Sequence, residues 1–218
     1  MDPIGDARAL VDERFPRAVW AILTGSVLGP ARTAGSDLDI VVLIPEGPGY
    51  RESLRFRGWP VELFVHTREA LEGFLASERE KRKPSTHRML ATGVALRGDP
   101  SEWTARCAEV LAGGPEPLSE GERERLRYAL TDSLDDYVHA TDPGERTLIA
   151  AALWTETAKA ALLLGGGWVS QGKWLLRELR GLDPALAERW VRVRESPEDL
   201  AREVLDRAGG PLFDGYRA

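Results

Sequence analysis

The apolar positions change rhythm along this chain, first helical, then strand-like, then helical for the whole second half. Ala9, Leu10 and Phe15 fall at roughly helical spacing, predicting a short opening helix over 6–15 that Pro16 ends. Residues 19–23 are a compact run of strand formers stopped by Thr24, Gly25 and Ser26. Between Ser26 and Gly35 the Gly29–Pro30 pair limits any helix to a turn or two. Residues 38–44 read as a central strand buried on both faces, closed by Pro45 and a Gly/Pro loop over 46–49. Trp59 and Pro60 then open a third strand in which Val61, Leu63 and Val65 share one face and Glu62 and Phe64 the other.

Helical spacing returns at Ala70, Leu71, Phe74 and Leu75, with Thr67 as the expected N-cap. A helical stretch near Met89 and Leu90, a short strand over 94–96 and an amphipathic helix over 101–111 complete this part. The Gly113–Pro117 stretch is the clearest linker. Beyond it strand signals disappear. Ser119 with Glu122 forms a capping-box pattern, and helices are expected to about 140, over 145–164, and around 173–180, 184–194 and 197–208. The expectation is an α+β chain: a mixed-sheet domain over 1–115 and an all-α domain over 118–218.

Composition narrows this picture without redirecting it. The 218 residues are 43% hydrophobic and 29% charged, ordinary globular values. Uninterrupted apolar runs fall well short of the ~20 residues of a membrane span, and the acidic N-terminus lacks the order of a signal peptide. With one cysteine, Cys107, and three histidines, neither a disulfide framework nor a soft-metal cluster is expected. A cytoplasmic protein without a membrane partner follows as the expectation. The net charge of −6 argues against a broad nucleic-acid surface, while a local basic patch remains compatible with a nucleotide.

The chemistry concentrates in residues 25–42. Asp37 and Asp39 stand two apart at the start of a strand, so both carboxylates leave one face. Hard divalent cations take such oxygen ligands together with substrate phosphates, and Glu62 on a neighbouring strand would complete a site for one or two ions. The Gly25–Ser26 turn suits close approach of backbone to phosphate. Each feature alone has a bland reading: an Asp-x-Asp at a strand end, an ordinary turn, a solvent-facing Glu. The ordered combination is specific.

That combination resembles the polymerase-β-type nucleotidyltransferase superfamily, and within it the bacterial aminoglycoside nucleotidyltransferases. The similarity covers about residues 19–65; over the second half it is architectural only. The resemblance implies a triphosphate held by Gly25 and Ser26, with Ser36 joining them. It implies one or two Mg²⁺ ions, most simply two, on Asp37 and Asp39, and Glu62 as metal ligand or, preferred here, as base on the acceptor hydroxyl. ATP or another nucleoside triphosphate would be the co-substrate, and a hydroxylated small molecule of aminoglycoside type the acceptor. A protein acceptor, as in antitoxins that modify a toxin, and a non-catalytic nucleotide-binding module are the alternatives. Pro30 departs from the Ala-Arg-Gly common after Gly-Ser in that family, and Arg32 would add positive charge nearby.

In relatives with a helical second domain a lysine there reaches the triphosphate, and Lys173, between Trp168 and Trp174, is the matching candidate, with a solvated lysine beside two core tryptophans as the other reading. Trp154, Glu156 and Lys159 would line the same cleft, or Glu156 and Lys159 form a surface pair. The Arg82-x4-His87 spacing of helical ribonucleases is read as chance, the basic run 81–83 as a solvated segment, and His66 as structural or exposed.

Overall fold

The computed structural model describes residues 2–30 and 32–217. The chain divides into two compact units, Met1–Gly113 and Gly114–Ala218. Five strands, β1 (Trp20–Thr24), β2 (Leu38–Leu43), β3 (Tyr50–Phe56), β4 (Trp59–His66) and β5 (Val94–Arg97), and four helices, α1 (Pro3–Arg14), α2 (Arg68–Glu80), α3 (Ser85–Thr92) and α4 (Ser101–Gly113), make up the first unit. The second contains α5 (Glu120–His139), α6 (Pro143–Leu164), α7 (Lys173–Leu182), α8 (Pro184–Arg192) and α9 (Glu198–Ala208).

The sheet runs β3-β4-β2-β1-β5. It is mixed: β2 and β4 are parallel, and the other neighbours are antiparallel. Two apolar faces explain why β2 reads as a continuous hydrophobic run. Ile40 and Val42 point, with Leu23, Leu63 and Val65, toward Ala7, Leu10 and Val11 of α1. Val41 and Leu43 point the other way, with Trp20 and Ile22, toward Leu71, Leu75, Leu90 and Trp103 of α2, α3 and α4. Cys107 belongs to this second layer, where burial pushes its thiol up to about 11, which makes it a packing residue and not a nucleophile.

Strand β3 occupies Tyr50–Phe56, a stretch beyond the 46–49 loop in which the sequence pattern marks no element. It forms a hairpin with β4 through Arg57 and Gly58, both with positive φ (48° and 87°). An edge strand needs only one partly covered face. Glu52, Leu54 and Phe56 are half-buried, while Tyr50, Arg51, Ser53 and Arg55 are exposed. Glu62 therefore lies on an inner strand, between β3 and β2. The turn or two of helix expected after Ser26 is a single 3₁₀ turn, Ser26–Leu28. α1 begins earlier than the spacing predicts, because Asp2 caps it by accepting from the Ile4 amide and Pro3 stands at its first position.

Between α2 and α3 lies a polar anchor that no pattern announced. Glu78 accepts the Thr86 amide at 2.7 and 2.9 Å and the His87 amide at 3.2 Å, and contacts His87 Nδ1 at 3.0 Å. His87 is 2% exposed and held against Glu78, so it packs between α2 and α3. Burial alone would raise the Glu78 carboxyl, yet these hydrogen bonds hold it below the ordinary value. Glu78→Ala leaves buried donors without an acceptor and should cost about 2–4 kcal/mol, read from the urea midpoint. A depressed folded pKa stabilises above the unfolded value. The wild-type advantage should therefore be complete at neutral pH and fade as pH falls through the lowered Glu78 value. An unchanged midpoint would show that α3 is anchored otherwise.

In the second unit the Ser119–Glu122 capping box forms as expected. α6 is apolar and long enough to cross a membrane by length and composition. Here its Leu153, Ala158, Ala161 and Leu162 are core residues, packed with Leu130, Leu179, Leu200 and Val204. Trp154 and Trp190 stack at 3.9 Å, planes 1° apart, and each indole N–H donates to the other's carbonyl at 2.7 Å. Trp154 is thereby a packing anchor. Glu156 and Lys159 form the expected i,i+3 ion pair, at 2.6 Å.

Candidate active site

The register of β2 against β4 makes the site. Asp39 stands directly opposite Glu62, and Asp39 also faces Thr24 of β1. Neighbouring strands lie about 4.8 Å apart, and residues of one row share a face. Asp37, two residues before Asp39, joins that face. Ligand oxygens of Asp37, Asp39 and Glu62 all lie within 4.8 Å of one another, each side chain partly buried. Three carboxylates that close repel unless cations stand among them. The donor set, all oxygen, suits a hard divalent ion such as Mg²⁺.

The glycine turn abuts this cluster. Gly25 has φ 94° and ψ −173°, backbone essentially closed to other residues. A Cβ on Gly25 would stand 2.4 Å from Asp39 Oδ2. Glycine is required twice over, for its dihedrals and for the approach of an acid suited to ligate metal. Ser26 opens the 3₁₀ turn, and its hydroxyl lies 3.1 Å from that of Ser36. Ser36 is 4% exposed and also accepts the Thr33 amide at 2.9 Å. Its hydroxyl is thus taken up within the protein, tying the Ser26 turn to the entry of β2.

Gly25, Ser26, Ser36, Asp37, Asp39 and Glu62 are therefore brought together on one side of one sheet. Lys173, the remaining candidate, is an exposed residue at the first position of α7 in the second unit. Its neighbours divide: Trp168 is buried, while Trp174 is 39% exposed with the Arg177 guanidinium 4.6 Å from its ring. Arg32 stacks 5.2 Å over Trp59, a member of the α1-side core. His66 is buried edge-on against Phe74, and desolvation holds its imidazole below the ordinary value.

One neighbour escaped the pattern of the sequence. Arg51 Nη2 lies 2.5 Å from Glu62 Oε2, and its guanidinium sits 5.0 Å from the Phe64 ring. The pair is diagonal across the β3–β4 hairpin, where Arg51 faces Phe64 and Ser53 faces Glu62. The signal that could have found it was the Arg57–Gly58 turn with alternating Glu52, Leu54 and Phe56 before it. Once the hairpin is drawn, Arg51 falls beside Glu62.

No protein-family model matches the chain, and no curated protein does. Among solved structures it is similar to a nucleotidyltransferase-like protein from Exiguobacterium sibiricum 255-15. The identity is 13%, with 95% of this chain and 74% of that one covered, at a TM-score of 0.48. Likeness at that level concerns the course of the chain and carries nothing about chemistry.

Proposed function

We propose that this chain is a Mg²⁺-dependent nucleotidyltransferase. It moves a nucleoside monophosphate, AMP from ATP as the leading case, to a hydroxyl of a small-molecule acceptor and releases pyrophosphate. The supporting observation is the three-carboxylate cluster built on adjacent parallel strands, with a glycine-only turn pressed against Asp39. Acceptors of aminoglycoside type are one member of the acceptor class. A cytoplasmic setting suits the ATP pool that such a reaction draws on.

Asp37 and Asp39 would hold the cations, with Glu62 beside them. When bound, such ions neutralise the triphosphate and stabilise charge on the leaving pyrophosphate. The chain supplies position. Gly25 lets the backbone of the turn approach the phosphates, and Ser26 offers a hydroxyl fixed by Ser36. Glu62 accepts the proton of the acceptor hydroxyl as its oxygen bonds to the α-phosphorus and the bond to pyrophosphate breaks. Arg51 fixes the direction of that carboxylate. Alignment of the two reactants on a rigid sheet supplies most of the remaining rate enhancement.

The test is pyrophosphate release from ATP and Mg²⁺ over hydroxylated small molecules and cell extract, with Glu62→Gln alongside. Release in the wild type, and a drop of roughly 10²-fold or more in Glu62→Gln, is expected for a lost base. A fully active Glu62→Gln removes the base assignment. ATP binding without release from any acceptor would mark a nucleotide-binding module. Label incorporated into a protein of the extract would redirect the acceptor to a polypeptide.

A further inference from the structure

The lateral order of the strands assigns the two reactants to opposite flanks of the acids. The Gly25–Ser26 turn follows β1, on one side of Asp37 and Asp39, and β3 lies on the other side, beyond Glu62. If the phosphates occupy the turn, the acceptor approaches over β4 and β3. Alternation along β3 sends Arg51, Ser53 and Arg55 to the site's face and Glu52, Leu54 and Phe56 to the opposite one. Ser53 stands in the row of Thr24, Asp39 and Glu62. Arg55 faces Pro60, one step before the Leu38–Val61 pair, and is therefore level with Asp37. Two strand spacings, roughly 10 Å, separate the aspartates from this Arg-x-Ser-x-Arg row.

Charge on this flank is uneven. The acids are the groups that would be neutralised by metal. Glu52, the carboxylate of β3, faces away and is bound by both terminal guanidinium nitrogens of Arg14 at 3.0 Å. Arg51 already holds one carboxylate, Glu62, through one of its nitrogens, and a guanidinium has five donors to offer. Arg55 is exposed and, among the described residues, has no ion-pair partner. A cationic acceptor would meet the unpaired charge of Arg55 here, beside an Arg51 whose charge Glu62 offsets.

We propose that the acceptor is an anionic hydroxylated small molecule, whose phosphate or carboxylate is gripped by Arg55 and Arg51 while its hydroxyl faces Glu62. A planar guanidinium matches either oxyanion with two parallel hydrogen bonds. The inference rests on the nucleotidyl transfer proposed above and narrows its acceptor class.

The experiment uses the full chain with α-labelled ATP, Mg²⁺ and small molecules of a cell extract split into anion-exchanger-retained, cation-exchanger-retained and unretained fractions, with kanamycin as the purified cationic acceptor. Label transfer to the anionic fraction is expected. Arg55→Glu should raise the acceptor KM roughly tenfold or more with the nucleotide KM little moved, Arg55→Gln should do so less, and Arg55→Lys should restore part of the loss. A fold change confined to the acceptor KM is not what a merely structural arginine would give. Phosphatase treatment of the active fraction tells a phosphate, which it destroys, from a carboxylate, which it spares. Transfer to kanamycin or to the cationic or unretained fraction, or an acceptor KM indifferent to Arg55→Glu, overturns the anionic assignment and leaves nucleotidyl transfer standing. Absence of transfer to every fraction overturns both.

Discussion

Asp39→Asn is expected to abolish Mg²⁺-dependent pyrophosphate release, by roughly 10³-fold or more, while the protein stays folded. Single charge-stabilising groups in active sites are typically worth about 10²–10³-fold in rate, and Asp39 is asked to do more than one task. It faces Glu62 across β2–β4, stands against Gly25, and completes the cluster whose oxygens lie within 4.8 Å. The amide keeps the size of the side chain and removes the charge that a cation needs. Calorimetry with Mg²⁺ and ATP should lose the metal-dependent part of binding, and thermal unfolding without metal should shift by no more than about 1–2 kcal/mol, as for most single substitutions. Retention of full activity would mean that Asp39 ligates nothing.

Gly25→Ala should be nearly as damaging, by a different route. The new Cβ would fall 2.4 Å from Asp39 Oδ2 in a backbone with φ 94°, so either the turn or the carboxylate must move. Strain of this kind costs about 1–3 kcal/mol, readable as a lower urea midpoint. The larger effect is expected in catalysis. The displaced element is the link between phosphate turn and metal ligand, and an error near 1 Å in such a link is commonly worth about 10²-fold. Stability and activity separate the contributions: a stable but inactive variant means the carboxylate moved, a destabilised but active one means the turn absorbed the strain. A Gly25→Ala variant equal to wild type in both would show that the turn is not tied to the acids.

Much of this site could be read from the chain alone. Asp37 and Asp39 stand two apart at the entry of β2, so extended chain there puts them on one face. Thr24-Gly25-Ser26 ends an apolar run, so a turn was required there. The apolar runs of β1, β2 and β4 and the helical spacing of α2 and α4 are local periodicities, and they survived folding because a single core on each face of the sheet agrees with them. Residues 50–56 were different. Tyr-Arg-Glu-Ser-Leu-Arg-Phe carries three charges in seven positions, and an edge strand tolerates them because one face and one hydrogen-bonding side stay in water. Its strand character comes from pairing with β4, which no local rhythm expresses. Ser36 was legible only as part of a motif; its burial and its bond to Ser26 come from the fold.

Local order along the chain is enough to say which residue types share a face: two aspartates together, a glutamate opposed to Val61 and Leu63, a glycine where no side chain fits. It does not say that Asp39 and Glu62 are level with each other, that Gly25 touches Asp39, or that Arg51 reaches Glu62; those contacts come from the assembled sheet. The reason is register. Alternation fixes faces within a strand, but the offset between strands is set by packing on both sides of the sheet, where a slip of one residue would turn every buried side chain of β2 or β4 to the wrong layer. The cores under α1 and under α2–α4 together hold that offset, and the three carboxylates meet because of it.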